Sequence, residues 1–413
     1  MREHAVVPIV LLALAAGLAA QAAPALYPIN VDGRFGYVDR AGRMAIAPQF
    51  DWAFDFSEGL APINIGGRRN EYGFVVGGAW GYIDAAGRVA ITPQYDDAKP
   101  FAEGRALVNT GGSVNELGLL AGGRRGYVDR RGRVVIEPQY DDARSFCQGL
   151  ALVRTGDRYG YIDTAGGAVT EIKYQDGRSF SEGLALVRAG DRYGYIDARG
   201  REIIPCRYAD GRSFQEGAAL VRDTGRLGFI DFGGRPIGRC EWDDASGFSE
   251  GLAAVKRDGR WGYLGRDGEV AVECRYDAAS DFKQGRAAVR LAGKRGFIDH
   301  AGRLAIVPEY AGAQDFSEGL AAVNRGGTIN QHGYVDGGKW GFIDTEGRVA
   351  VPFRFDYALS FKGGLALVNI GGTMNQYGAV DGGHWGYVDR KGRYVWRPGQ
   401  VEVPKPRGTK KQP

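Results

Sequence analysis

The sequence is poor in the residues that do most protein chemistry. Its 413 residues include four histidines and four cysteines, little raw material for a metal centre or a nucleophile–base pair. Excess charge is missing too: 53 basic residues stand against 49 acidic ones, for a net charge of +4. That is not the electrostatic footprint of a nucleic-acid binder. No capped run with a 3.6-residue apolar period is long enough to predict a helix. After the first 25 residues no second long apolar stretch occurs. A content of 44% hydrophobic and 11% aromatic residues excludes disorder for most of the chain. The chain is instead rich in glycine, with 67 residues, about twice the usual share of roughly 7%. Glycines in that number belong at turns.

Two motifs recur on one beat. Gly-aromatic-(Ile/Val)-Asp, with few departures, begins at Gly36, Gly81, Gly126, Gly160, Gly194, Gly228, Gly262, Gly296, Gly341 and Gly386. Phe-x-x-Gly begins at Phe56, Phe101, Phe146, Phe180, Phe214, Phe248, Phe282, Phe316 and Phe361. Both advance by 45 residues near the ends and by 34 in the middle, so the long units carry an insert of 11. Such a period marks a tandem repeat. One unit reads as three short strands: Gly126-Tyr127-Val128-Asp129, then Val134-Val135-Ile136-Glu137 stopped by Pro138, then Leu150-Ala151-Leu152-Val153. Asp129 to Gly132 has hairpin-turn chemistry. The second residue after every Phe-x-x-Gly turn is alanine, from Ala61 to Ala366, which predicts a close contact that a larger side chain would overpack.

The expected fold is therefore all-β, built of tandem three-stranded antiparallel meanders. Leu26-Tyr27-Pro28-Ile29-Asn30 resembles Leu60-Ala61-Pro62-Ile63-Asn64, so the chain starts with the strand its last unit lacks. A closed, propeller-like toroid would use that phase to seal itself. Ten three-stranded units are many for a ring, however, and an open superhelical array capped by half units is the predicted form. In that array the insert pairs lie at opposite ends. Cys206, Cys240 and Cys274, at one position of three consecutive units, then stand roughly 14 Å apart, given strands about 4.8 Å apart. That is too far for a disulfide between them.

The steps Ala79-Trp80-Gly81-Tyr82-Ile83-Asp84, Arg260-Trp261-Gly262-Tyr263, Lys339-Trp340-Gly341-Phe342-Ile343-Asp344 and His384-Trp385-Gly386-Tyr387-Val388-Asp389 resemble the bacterial WG-containing repeat. Phe316-Ser317-Glu318-Gly319-Leu320-Ala321 continues the pattern. The resemblance implies an all-β repeat protein that acts as an interaction module, and it carries over no catalytic residue. The tryptophan position departs from the family as Phe35, Arg125, Tyr159, Tyr193, Leu227 and Arg295.

Each insert runs from Asn-x-Gly-Gly to a second Gly-Gly and holds an inner asparagine: Asn70, Asn115, Asn330 or Asn375. Such residues suit a lengthened hairpin, or a binding surface carried on one. The glycines lack phosphate-loop spacing, and the inserts are too poor in carboxylates for calcium. The repeated Asp of the Gly-aromatic motif reads as a turn cap, and the same role is expected of Glu58, Glu103, Glu182, Glu216, Glu250 and Glu318. His300, His332 and His384 share no ligand or triad spacing, and the cysteines read as small apolar core residues. Neither a metal nor a cofactor is expected. The candidate binding residues are Trp80, Arg125, Trp340 and Trp385 with Asn70, Asn115, Asn330 and Asn375.

Residues 1–22 read as a secretory signal: Arg2, an apolar run to Ala20, and the small-residue step Ala20-Gln21-Ala22. The array occupies 26–400, and the basic, proline-rich tail 401–413 is predicted to be disordered. The expected protein is periplasmic or secreted, without stable membrane insertion of the mature chain. Its expected function is non-enzymatic: a protein- or peptide-binding scaffold of the bacterial envelope, or alternatively a glycan or peptidoglycan binder using exposed aromatics. A hydrolase is disfavoured because no polar constellation occurs only once.

Overall fold

The structure, a computed structural model, describes residues 25–70, 75–115, 119–223 and 225–398. The signal-like segment 1–22 and the tail 401–413 lie outside the described residues. Every regular element among them is a β-strand, and no helix is long and apolar enough to cross a membrane. The strands form ten successive antiparallel sheets, or blades, at 26–50, 52–95, 97–140, 142–174, 176–208, 210–242, 244–276, 278–310, 312–355 and 357–396. Blade 2 shows the plan: Trp52–Ala53, Leu60–Arg69, Val75–Asp84 and Val89–Tyr95, side by side in chain order. The unit thus has four strands rather than three. The extra one, such as Asp142–Ala143 in blade 4, is two residues long and too short to show alternation in the sequence.

The repeated Gly-aromatic step has a steric cause. Opposite the third strand the fourth bulges, so that Trp80 pairs with Tyr95 and Tyr82 with Ile91. A Cβ on Gly81 would lie 2.5 Å from the carbonyl oxygen of Ile91, and Gly36, Gly126 and Gly194 face Ile46, Ile136 and Ile204 in the same way. The Asp that ends the motif caps the next turn. Asp84 Oδ1 accepts the N–H groups of Ala86 and Arg88, at 2.9 and 3.0 Å, while Oδ2 accepts Arg88 Nε at 2.8 Å. Burial opposes its ionisation, but these hydrogen bonds prevail and hold the carboxyl below its usual range.

The blades close into a ring. Each of ten apolar clusters lies between two consecutive blades; the one between blades 1 and 2 joins Tyr37, Ile46 and Phe50 to Ala61, Ile63 and Ile83. The predicted tight alanines sit in these seams, Ala61, Ala106, Ala185 and Ala253 all at 0% exposure. The tenth cluster joins the chain ends: Tyr27, Ile29 and Val38 of blade 1 pack on Leu365, Tyr387 and Trp396 of blade 10. Tyr27 Oη also donates to Gly363 O at 2.7 Å. The expected open array is therefore incorrect, and the ten-bladed propeller replaces it. The open form was preferred because ten units are many for a ring. The units meet face to face, so two ends with exposed apolar faces bury each other. The same packing voids the 14 Å spacing assumed for the cysteines; all four are free thiols, and burial raises the thiol pKa of each.

A four-stranded meander puts the turn between strands one and two and the turn between strands three and four at one end. The hairpin between strands two and three is at the other. The ring therefore has a turn face and a hairpin face, and each is tied from blade to blade. On the turn face, the Glu or Gln of Phe-x-x-Gly accepts backbone N–H groups of the next blade's turn. Glu182 takes those of Glu216 and Gly217, both at 2.7 Å, and Glu216 those of Glu250 and Gly251. Eight such residues, Glu58 to Glu318, hold φ between 50° and 55°, at a typical cost of about 1–2 kcal/mol each for a side chain with a Cβ. Charge-assisted bonds to the neighbouring blade offset that cost. These glutamates thus staple blades together rather than cap their own turns, as the sequence alone suggested. Beside them Ser57, Ser181, Ser249 and Ser317 donate to the next blade's Phe carbonyl, and Cys147 takes the serine place, its Sγ 3.3 Å from Phe180 O.

Candidate functional site

On the hairpin face the link residue after the fourth strand ties two blades. Asp51 Oδ1 pairs with Arg34 of blade 1, and its Oδ2 accepts Gly66 N of blade 2 at 2.7 Å. Asp356 repeats this with Lys339 at 2.5 Å and Gly371 N at 2.7 Å.

The four inserts lengthen the hairpins of blades 2, 3, 9 and 10. Ring closure corrects their expected separation: blades 9, 10, 1, 2 and 3 form one arc, with the short hairpin of blade 1 at its centre. Each long hairpin grows from a buried asparagine. Asn64 Oδ1 accepts Gly67 N at 3.0 Å and its Nδ2 donates to Gly77 O at 3.2 Å; Asn324 and Asn369 repeat both bonds. A Cβ on Gly67 or Gly78 would collide with the Asn64 amide oxygen, which explains the paired glycines. These buried asparagines, at 0% exposure for Asn64, Asn324 and Asn369, are functional to the hairpin and were visible in the sequence as the first residue of each Asn-x-Gly-Gly.

The inner asparagines are tip residues. Asn375 Oδ1 accepts the N–H groups of Tyr377 and Ala379, both at 2.9 Å, and Asn330 those of His332 and Tyr334, both at 3.0 Å. Asn115 Oδ1 accepts Leu119 N at 2.9 Å, and Asn70 ends the described part of its hairpin. Trp80 and Trp340, at 6% and 5% exposure, are core residues of the blade seams, so neither presents a ring face to a ligand. Arg125 is half-buried, bonded to Asp141 O and 3.2 Å from Asp142, beside a cavity of about 240 Å³ that Lys99 and Leu120 also line. Trp385 is half-buried and belongs to a larger groove.

That groove, about 520 Å³, lies over blade 1. Asn30 and Phe35 of blade 1 form its floor, His384 and Trp385 of blade 10 one wall, and Arg69 of blade 2 the other. The Arg69 guanidinium stands 5.0 Å over the Trp52 ring, which is 4.8 Å from Phe35. Asn30 Oδ1 accepts Gly33 N at 3.1 Å, while its amide nitrogen is buried without a partner among the described residues. The structure thus gathers one of the eight candidate residues, Trp385, with Phe35, Asn30, Arg69 and His384. The sequence signal for Asn30 and Phe35 was their place at the chain's phase junction, and for Arg69 and His384 their place in the insert-bearing hairpins of blades 2 and 10. The arrangement offers ring faces, an amide and a cation, which suit recognition. Among the described residues no group of three or more His, Cys, Asp or Glu could hold a metal ion.

In fold, the chain is similar to a crystal structure titled as the eukaryotic initiation factor, with a TM-score of 0.48, 11% identity, and 91% of this chain and 95% of that one covered. It is also similar to Hsv2p of Kluyveromyces lactis, with a TM-score of 0.32, 11% identity, and 53% and 75% covered. A third similarity is to the tricorn protease, with a TM-score of 0.31, 11% identity, and 87% and 45% covered. At these scores no functional argument follows. No curated protein matches the sequence. The WG containing repeat model matches nine times, at 35–68, 80–113, 126–159, 159–193, 193–226, 228–261, 261–294, 296–328 and 340–373. With most of its length matched, this chain belongs to the WG containing repeat family.

Proposed function

We propose that the chain is a non-enzymatic, exported scaffold of the bacterial envelope that binds a protein or peptide segment in the groove over blade 1. One observation carries this reading: four lengthened hairpins flank a single short one, and the groove over that short one, walled by the hairpins of blades 2 and 10, is floored by ring and amide groups. Hairpin length varies while the blades beneath do not, as in folds that display binding loops on a constant frame. Anchors of the Trp and Arg type, here Trp385 and Arg69, supply most of the energy of such surfaces.

A photo-crosslinker at position 384, followed by mass-spectrometric mapping, tests the reading in envelope extract. One partner segment should be captured repeatedly, and capture should be lost when the blade 10 hairpin is shortened. Capture that survives this shortening refutes it. A glycan ligand is the second reading, favoured by the half-buried rings of Phe35 and Trp385, which both line the groove. Co-sedimentation with purified cell-wall polymer, lost on Trp385→Ala, would select it over the peptide. Export is tested separately by intact mass: protein recovered from the periplasm or medium should lack about 22 N-terminal residues.

A further inference from the structure

The carboxylate staples of the turn face run from the turn of blade 2 to that of blade 10 and stop there. A tenth turn would belong to blade 1. Since Leu26 corresponds to Leu60, the repeat places it at residues 22–25, which read Ala-Ala-Pro-Ala. These four residues have neither an aromatic ring nor a carboxylate. Residues 1–26 and 397–413 contain no Phe, Tyr or Trp.

The structure around that position is adapted accordingly. A cavity of about 460 Å³ separates the turns of blades 10 and 2, with Tyr27, Phe56, Gly59, Gly363, Leu365 and Tyr387 in its wall. At six of the nine other seams a third-strand tyrosine packs on the next blade's Phe and donates its hydroxyl just past the next short first strand, and at the other three a Phe packs in its place. Tyr82, for example, lies 5.0 Å from Phe101 and bonds Lys99 O at 2.7 Å. Tyr387 bonds Pro28 O at 3.0 Å instead. The equivalent oxygen in blade 2, Pro62 O, accepts the backbone N–H of Phe54 at 3.1 Å, just after the short strand. In all eight later turns the glycine N–H is held by the preceding Glu or Gln, as Gly104 is by Glu58 and Gly319 by Gln284. Among the described residues, Gly59 has no such acceptor. Among the described residues, the edge of Leu26–Val31 also has no short strand beside it, where in blade 2 Trp52 and Ala53 pair with Asn64 and Ile63. An exposed ion pair, Lys362 to Asp55 at 2.7 Å, spans the gap, and such pairs are weak.

We propose that this seam receives an extended peptide of another protein with the pattern aromatic-x-(Glu/Gln)-Gly, which completes blade 1 by strand addition. Its ring packs on Tyr387, its acidic or amide side chain accepts Gly59 N–H, and its backbone pairs with the open edge of Leu26–Val31. The Tyr387 hydroxyl turns from Pro28 O to a carbonyl of the peptide. Main-chain bonds give such additions their affinity and side-chain pockets their selectivity. The site is on the turn side of the seam and holds or fails without reference to any ligand of the hairpin groove.

The test uses the full chain and a fluorescent nine-residue peptide copied from its own 311–319, Ala-Gly-Ala-Gln-Asp-Phe-Ser-Glu-Gly. Saturable binding is expected, weakened about tenfold or more when the peptide's Phe becomes Ala. Ala22→Phe, Ala23→Ser, Pro24→Glu and Ala25→Gly together, in a chain purified with its N-terminus intact, supply the turn in cis. This variant should abolish peptide binding and raise the melting temperature. Should it misfold, a benzophenone in place of the peptide's Phe gives an independent readout on the unchanged chain, with crosslinks expected at Tyr27, Tyr387 or Leu365. Absent saturable binding, as when the chain's own N-terminal segment fills the seat, overturns the proposal. So does undiminished binding of the Phe-less peptide, or crosslinking elsewhere.

Discussion

Two arcs of one ring share a frame and differ at one residue. The position that pairs across the hairpin with the WG tryptophan site is Asn30, Asn64, Asn109, Asn324 and Asn369 in blades 1, 2, 3, 9 and 10. In blades 4 to 8 it is Arg154, Arg188, Arg222, Lys256 and Arg290. In blades 2, 9 and 10 asparagine folds back into the hairpin and clamps both glycine pairs, and in blade 3 Asn109 holds one of them through Gly122 O; arginine reaches outward to the short turn, as Arg154 does to Gly156 O at 2.6 Å and Arg222 to Gly225 O at 3.0 Å. Hairpin length is thus coupled to a single polar side chain, while the four-stranded blade below is unaffected. Blade 1 shows the coupling by exception: it has the asparagine without the long hairpin, and the Asn30 amide nitrogen is left unpartnered beside the groove.

The strongest way to break this comparison is to exchange the residues. Asn64→Arg forces a guanidinium into a site with 0% exposure, packed against the backbone of Gly67 and Gly78. It should cost about 3 kcal/mol or more, the scale of a buried charge without a partner. Urea unfolding of the variant, with hydrogen exchange localising the loss to blades 2 and 3, measures it. A loss under about 1 kcal/mol would mean that the asparagine does not govern the hairpin.

How much of this was legible in the sequence depends on whether a feature was local. The Asp84 turn cap and the Gly81 step follow from chemistry within a few residues, and the all-β class follows from their recurrence. Whether Ala61 packs within its unit or against a neighbour does not, because the same alanine serves either geometry. Ring closure rests on Tyr27 meeting Tyr387, 5.6 Å apart between ring centroids, a contact with no periodic signature. Trp80 and Trp385 occupy the same repeat position, yet one is core and the other lines a groove. What differs is the neighbouring blade, and a single unit does not encode its neighbour. The Asn/Arg alternation was present in the sequence but had no meaning until the clamp was seen.

The staples of the turn face should be indifferent to the arc. Glu103→Ala and Glu216→Ala each remove the carboxylate that accepts two backbone N–H groups of the next blade while keeping a side chain at positive φ, so each should lose about 2 kcal/mol. The corresponding Gly substitutions relieve the backbone and should lose about 1 kcal/mol. Thermal melts of the four variants check this. A much larger loss at Glu103 would show that the insert-bearing arc relies on its turn face differently.

Acid probes both arcs together. The Arg303 side chain first, and backbone N–H groups with it, hold Asp299 below its usual range. At Asp197, Asp344 and Asp389 burial alone would act the other way, but the bonds from Arg201, Arg348 and Arg393 prevail. A carboxyl whose folded pKa is depressed contributes stability that is complete above its unfolded value, near pH 4. That contribution is lost as pH falls through the lower folded value. The melting temperature should therefore be flat above about pH 5 and fall below pH 4. Hydrogen exchange should show blades 5 and 10 loosening in step, since each carries the same cap. Loosening confined to one arc would mean that acid acts through the hairpins and not through the shared turns.

The smallest effect is expected where the exchange runs the other way. Arg154→Asn removes a guanidinium that bonds Gly156 O at 2.6 Å from a half-buried position at the rim of blade 4. The hairpin there is a short turn whose closing pair, Thr155 with Arg158, remains in place. The shorter amide has no second glycine pair to meet, so it gains no clamp, yet it leaves no charge stranded in the core. Water can satisfy the Gly156 carbonyl once the arginine is gone. The loss should be about 0.5 kcal/mol, the scale of a surface substitution, and the urea midpoint should shift little. A loss above about 2 kcal/mol would show that short hairpins depend on their cation as strictly as long ones depend on their amide. The coupling between side chain and hairpin length would then hold in both directions rather than in one.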